Sequence, residues 1–288
     1  MNIQIIKKSS PDYPDVLAQI ASPPAQLYYQ GPSLGTLMQL PRVAIVGSRN
    51  VSAYGRQVTL RLARKLAEQG IVIISGLALG VDALAHQAAL EAGGTTLAVL
   101  PGSLQKVYPA TNRQLAAAIL AQGGALMSEY GEGEPIAFKM NFIARNRVVA
   151  GLADLLLITE AAEKSGSLHT ARFALEQGKD VLVVPGNITS PGSVGTNNLI
   201  KVGAAPVTSY VDVLHALGLV SHSSKPADIR GRNTNEQRVL DLLVRGLSDG
   251  EDLLAQSQLS ITDFNQTLTM LEISSKVRSL GANHWALY

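Results

Sequence analysis

Arg42-Val-Ala-Ile-Val-Gly-Ser-Arg-Asn-Val-Ser52 is the stretch whose reading decides the fold. Val43–Val46 is a short, β-branched apolar run, the pattern of a strand buried on both faces of a parallel sheet. Gly47 and Ser48 end it. Ser52 is a good N-cap residue and predicts a helix start. A strand, a glycine turn and a helix N-terminus together predict an anion site, because backbone N–H groups point outward there and the helix dipole favours negative charge. Arg49, in the turn, adds a forked cation suited to phosphate.

Outward from this stretch, residues 41–220 alternate apolar runs with helical patterns. The further runs are Ile71–Ile74, Thr96–Leu100, Ala125–Met127, Asp154–Ile158 and Val181–Val184. Helices are predicted over Ala53–Gln69, Asp82–Ala92, Thr111–Gln122 and Ser167–Gln177. Strands alternating with helices imply an α/β, doubly wound, mostly parallel sheet with helices on both faces. Ligands of such sheets bind beyond the carboxyl ends of the strands. Those ends carry Gly47-Ser48, Ser75-Gly76, Pro101-Gly102-Ser103, Ser165-Gly166-Ser167 and Pro185-Gly186-Asn187. Glycine there makes short turns and lets backbone amides approach a ligand closely. So many on one rim favours an extended anionic ligand.

A second stretch is expected to meet the first in space: Lys139-Met-Asn-Phe-Ile-Ala-Arg-Asn-Arg-Val-Val-Ala-Gly151. It places Lys139, Arg145 and Arg147 around Phe142, with no acid between Pro135 and Ala153. Cations beside an exposed aromatic suit a nucleic-acid strand, through phosphate neutralisation and base stacking. Taken singly, each piece has a plainer reading. A strand-Gly-Ser turn occurs in many doubly wound folds, most aromatics are core, and an arginine pair is usually a solvated helix face. The combination carries the inference.

The chain has 288 residues, 46% of them hydrophobic, which implies one large and one small domain with a sizeable core. It has no cysteine, which removes disulfides, thiolate metal sites and cysteine nucleophiles and fits a reducing cytosol. The first residues do not read as a signal peptide, and no stretch approaches a membrane span, so a cytoplasmic protein without a membrane partner is expected. The net charge of +2 is unevenly spread. Pro41–Ala67 carries Arg42, Arg49, Arg56, Arg61, Arg64 and Lys65 and no acid, whereas residues 234–288 carry four basic residues against seven acids. The two regions are not expected to share one kind of partner.

Residues 1–40 show no strong period and are expected to pack on the main domain as a lead-in, through Leu17, Ile20, Leu27 and Tyr28. Residues 221–233 are expected to be a linker. In 234–288, Thr234-Asn-Glu-Gln237 and Ser248-Asp-Gly-Glu251 are capping-box patterns, and Ser260 can cap a third helix. A two-stranded wing is expected over Lys276–Leu280 and His284–Tyr288. Three helices and a hairpin make a winged helix.

No cofactor, metal or catalytic group is expected. The histidines (His86, His169, His215, His222 and His284) match no zinc pattern. There is no nucleophile elbow or Walker loop, and Gly-Ser-Arg is not a dinucleotide fingerprint. Asp82 and His86, four apart, are read as a structural pair on one helix.

Many motifs in fixed order resemble the DprA family, also called Smf, the DNA-processing proteins of natural transformation. They are Tyr13-Pro14 with Pro23-Pro24, Gly47-Ser48-Arg49, Ser75-Gly76-Leu77-Ala78, Gly80-Val81-Asp82 with Ala85-His86, and Val107-Tyr108-Pro109 with Asn112. Ser128-Glu129, Phe142 with Arg145-Asn146-Arg147, Ala150-Gly151-Leu152, Glu160-Ala161, Ser165-Gly166-Ser167-Leu168 and Val184-Pro185-Gly186 follow. The resemblance implies a Rossmann-like domain that binds single-stranded DNA without catalysis, forms a homodimer and helps load the RecA recombinase onto incoming strands. It implies that Gly47, Ser48, Arg49, Lys139 and Phe142 line the DNA pocket; Arg145, Asn146, Arg147, Ser165, Gly166 and Ser167 complete the expected set. Two departures stand out. Only a dozen residues precede Tyr13, so the small helical domain that often precedes this motif is expected to be missing. The usual proline after the phenylalanine is Ile143.

The rival is an enzyme similar to the phosphoribohydrolases of cytokinin activation, whose signature is Pro-Gly-Gly-x-Gly-Thr-x-x-Glu. The comparable loop here is Ser165-Gly-Ser-Leu-His-Thr170, and Phe173 stands where that glutamate would be. Hydrolysis then lacks its general acid-base group. An interaction scaffold with a vestigial pocket is the third reading.

Overall fold

The computed structural model describes residues 2–134, 138–220, 230–274, 276–281 and 283–287, with Phe138 and Lys139 described by backbone only. It divides into two compact units, 1–220 and 221–288. Most of the expected linker, 221–229, lies outside the described residues.

The strands of the first unit are β1 (Gln4–Lys7), β2 (Gln26–Gln30), β3 (Arg42–Val46), β4 (Val72–Ser75), β5 (Thr96–Leu100), β6 (Ala125–Ser128), β7 (Leu155–Ile158), β8 (Val181–Val183) and β9 (Ala205–Pro206). Its helices are α1 (Asp15–Ala18), α2 (Leu34–Met38), α3 (Ala53–Glu68), α4 (Val81–Glu91), α5 (Arg113–Ala121), α6 (Phe138–Leu152), α7 (Ser167–Glu176), α8 (Val194–Lys201) and α9 (Tyr210–Ala216). Among the described residues the strands form one nine-stranded sheet in the order β1-β2-β6-β5-β4-β3-β7-β8-β9. From β6 to β9 every neighbour is parallel, whereas β1–β2 and β2–β6 are antiparallel. This is the α/β, mostly parallel, Rossmann-like sheet expected. The 1–40 segment, read as a lead-in without period, contributes two strands to the sheet edge. Leu17, Ile20 and Leu27 are buried as expected, but the fully buried tyrosine is Tyr29 rather than Tyr28.

Side chains alternate across each strand and build a core on both faces. Ala44, Val46, Leu156 and Ile158 pack with α6 and α7, and Val43, Ile45, Leu155 and Leu157 with α3 and α4. The order β6-β5-β4-β3 runs one way from β3, and the chain then crosses back to place β7 on its other side. The β3–β7 boundary is therefore the topological switch point, where such sheets open a crevice. Arg42 pins the opposite ends of these strands: its side chain bonds the carbonyls of Met38, Leu40 and Leu152 and the Asp154 carboxylate.

The second unit holds α10 (Thr234–Val244), α11 (Gly250–Ser257) and α12 (Ile261–Ile273), followed by an antiparallel pair, β10 (Val277–Gly281) and β11 (His284–Leu287). The caps of α10 and α11 are Asn233 and Asp249 rather than Thr234 and Ser248, and Ser260 caps α12. Val239, Leu243, Leu253, Phe264, Leu268 and Leu271 form a separate core. Among the described residues no helix is long and apolar enough to cross a membrane.

Candidate nucleic-acid interface

A cleft of about 780 Å³ opens at the carboxyl ends of β3 and β7. Its walls are the Gly47–Asn50 turn, the loop from Ala162 into α7, and one face of α6, with Tyr108 at its side.

The Gly47 turn is held tightly from both sides. A Cβ on Gly47 would come within 2.7 Å of both the Glu160 carbonyl oxygen and Val81. Ser48 donates its amide to that carbonyl at 2.8 Å, and Val81 donates to the Ser48 carbonyl at 3.1 Å. At the start of the helix that follows, the Ser52 and Gly55 amides are already taken, which narrows the expected anion site. Glu160 fills that place. It accepts from the Ser52 amide at 3.0 Å and from the Ser52 hydroxyl, while Ser52 Oγ accepts from Gly55 at 3.0 Å. This buried carboxylate already complements the dipole and takes one amide there. The Arg49 side chain supplies the cation on this wall.

The pooling of cations expected from Pro41–Ala67 is also reduced. Arg42 is buried on Asp154, Arg64 pairs with Glu91, and Lys65 pairs with Glu68.

Helix α6 sorts its residues by angle. With about 100° per residue, Phe142, Arg145 and Asn146 share a face, while Arg147 sits about 140° from Phe142. Phe142, Arg145 and Asn146 line the cleft. Arg147 does not, against expectation: it pairs with Glu129 at 2.5 Å on the side where Tyr13 lies. Burial raises the Tyr13 hydroxyl to about 12, with Arg147 opposing and Glu129 adding. Arg145 lines the cleft but is only 4% exposed. Its guanidinium donates to the carbonyls of Gly76 and Val99. Burial lowers its pKa to about 10, with the nearby Asp82 raising it and Arg49 lowering it. Asp82 is held above the usual carboxylate range by burial, against the pull of Arg145 and of amide hydrogen bonds from Gly76 and Ala78. His86 takes Thr96 as its partner rather than Asp82, at 2.6 Å, and burial lowers it to about 3.

Phe142 is half-buried. The Arg49 guanidinium carbon lies 4.8 Å from its ring centre, and the Tyr108 ring meets it edge-on at 5.7 Å and 69°. Across the cleft, Ser165 and Ser167 share a hydroxyl hydrogen bond at 2.8 Å. Gly166 between them is exposed, and a Cβ there would stand in open space. The side chain of Lys139 is outside the described residues.

Sequence reasoning missed Asn50, Tyr108, Lys164 and His169, all of which line the cleft. Lys164 directly precedes the Ser-Gly-Ser loop, so a cation flanking a rim glycine was the available signal. Tyr108 stood inside a quoted motif without a role.

The sequence model of the family described as DNA recombination-mediator protein A matches residues 4–218. Protein Smf of Escherichia coli (strain K12) is 42% identical over 222 residues, covering 77% of this chain and 58% of that protein. The DNA processing protein DprA of Bacillus subtilis (strain 168) is 40% identical, covering 75% of this chain and 71% of that one. The X-ray structure of DNA processing protein A from Streptococcus pneumoniae is 40% identical with a TM-score of 0.69, over 75% of this chain and 74% of that chain. DNA processing protein A from Helicobacter pylori, solved for insight into its single-stranded DNA binding mode, is 34% identical with a TM-score of 0.67, over 76% and 97%. The motifs, the sheet and these similarities agree: this chain belongs to the DNA recombination-mediator protein A family, DprA/Smf.

Proposed function

We propose that the cleft binds single-stranded DNA, non-catalytically, and that residues 41–220 are its binding domain. The carrying observation is the convergence, at the β3–β7 switch point, of Arg49, Phe142, Asn146, Lys164 and the Ser165–Ser167 loop. Cations on two walls suit phosphates, and an aromatic–arginine assembly between them suits unpaired bases. The relative from Helicobacter pylori is described as binding single strands. Gly166 lines the cleft with its backbone uncovered, which is compatible with close approach of a strand. Gly47, Ser48, Arg49, Lys139, Phe142, Asn146, Ser165, Gly166 and Ser167 are the proposed DNA-contacting set, extended here to Lys164. Arg145 acts from beneath.

The carboxylates near the cleft have other work. Glu160 caps α3, Glu129 pairs with Arg147, and Asp82, the one acid lining the cleft among the described residues, accepts from the Gly76 and Ala78 amides. Phe173, at the position of a hydrolase glutamate, packs against the core. The role that follows is protection of incoming single strands in the cytoplasm, by a homodimer that helps load RecA. That wider role and the dimer rest on the family likeness. We assign residues 234–288 as a winged helix that contacts protein rather than duplex DNA; Gly231, Arg232 and Asn233 of the expected linker instead bond to α10.

The deciding experiment titrates labelled single strand and duplex of equal length at two salt concentrations. Preference for single strands with a steep salt slope is expected. Equal, tight binding to both would overturn the reading.

A further inference from the structure

Arg49 and Phe142 come from different elements, the turn after β3 and helix α6, yet the guanidinium lies over the ring. A guanidinium 4.8 Å from a ring centre is within cation–π reach. The Arg145 guanidinium lies 6.0 Å from the same ring and is fixed by two backbone carbonyls. Its like charge opposes that of Arg49. Among the described residues Arg49 belongs to no ion pair. The Asp82 carboxylate attracts Arg49 from within the cleft, and the electron-rich face of Phe142 is the contact that orients this long, rotamer-rich side chain. That face is also not bare: Arg49 lies over the ring, and Tyr108 makes a T-shaped pair with it.

We propose that Phe142 is a positioning residue for Arg49, and that the nucleobase stacks on the guanidinium plane rather than on the phenyl ring. Guanidinium planes stack on unpaired bases, and the N–H edge stays available to the neighbouring phosphate. One arginine then supplies both stacking and charge, and the ring supplies its orientation. This inference rests on the single-stranded DNA reading of the cleft.

The test is a double-mutant cycle in the full chain, with oligo-dT binding measured over a series of salt concentrations. The variants are Arg49→Ala, Phe142→Leu, the pair combined, and Phe142→Tyr. Leucine keeps apolar volume without the ring, and melting curves confirm that each variant is folded. If the ring positions the arginine, Phe142→Leu flattens the salt slope by about 0.7, as Arg49→Ala does. The double variant then binds within about twofold of Arg49→Ala, and Phe142→Tyr keeps the wild-type slope. A wild-type slope in Phe142→Leu, with losses that multiply in the double variant, would overturn the proposal and leave the site reading intact. Unchanged binding by Arg49→Ala would instead overturn the site reading itself.

Discussion

Glu160 caps helix α3 from 108 positions away, accepting from the Ser52 amide at 3.0 Å and from its hydroxyl. The Glu160 carboxylate is close enough to Gly55 that a Cβ there would stand 2.4 Å from its oxygen. Glu160→Ala leaves these donors unmet, and a cost of about 1–3 kcal/mol is expected. Urea denaturation of variant and wild type measures it. A loss no larger than that of an ordinary surface substitution would show that water replaces the cap.

Arg147→Ala and Arg49→Ala are expected to separate stability from binding. Breaking the Arg147–Glu129 pair leaves a largely buried carboxylate uncompensated, at roughly 3 kcal/mol. Single-strand affinity and salt slope should stay at wild-type values. Arg49→Ala should keep stability and lower both affinity and slope, by about 0.7 in the slope. Denaturation and binding curves recorded on the same preparations test both halves.

Gly166→Ala should do the opposite of most glycine substitutions at turns. Its backbone is right-handed helical, and the added Cβ meets no protein atom. Stability should rise by about 0.4–1 kcal/mol through the unfolded state. Affinity for single strands should fall, because the methyl stands where a backbone is proposed to approach. Unchanged affinity would remove this loop from the interface.

The buried His86 imparts a pH dependence of definite sign. Its folded pKa, about 3, lies below its ordinary value of 6.5. Between those values the unfolded chain binds the proton that the folded protein refuses, so stability falls as pH falls through that window. From pH 7 to pH 5 the loss from this group is about 2 kcal/mol. His86→Gln lacks it, so the stability gap between wild type and variant should narrow by that amount. An unchanged gap would refute the assignment.

Residues 230–288 should not bind duplex DNA at micromolar concentration and physiological salt. Helix α12 carries Asp263 and Glu272 and no Lys or Arg, and Glu251 and Asp252 open α11. Phosphate neutralisation dominates duplex affinity, and these two helices offer no cation for it. Fluorescence anisotropy with the isolated unit, checked for folding by circular dichroism, is the measurement.

The central strands were legible because a strand buried on both faces leaves a continuous apolar run, as Thr96–Leu100 does. The edge strands were not: in Gln4–Lys7 only Ile6 is buried, too little to show a period. Composition identified the α6 arginines as cations, but only the helical angle separates Arg145 from Arg147. That Arg145 would be buried beneath the cleft is invisible to hydropathy, since its partners are backbone carbonyls contributed by β4–α4 and β5. The Gly-Ser-Arg turn was found, whereas its neighbour Glu160 reaches it through tertiary folding alone.

The β3–β7 pairing joins strands whose ends, Arg42 and Asp154, are 112 positions apart. A chain emerging from the ribosome has made Arg49 and Phe142 before β7 exists, and neither can form a cleft without it. Long-range pairing closes late, because loop entropy must be overcome first. Binding competence should therefore arrive in one step, when the sheet closes. Until that moment a nascent chain carries the basic and aromatic residues of the proposed site without the cleft that brings them together.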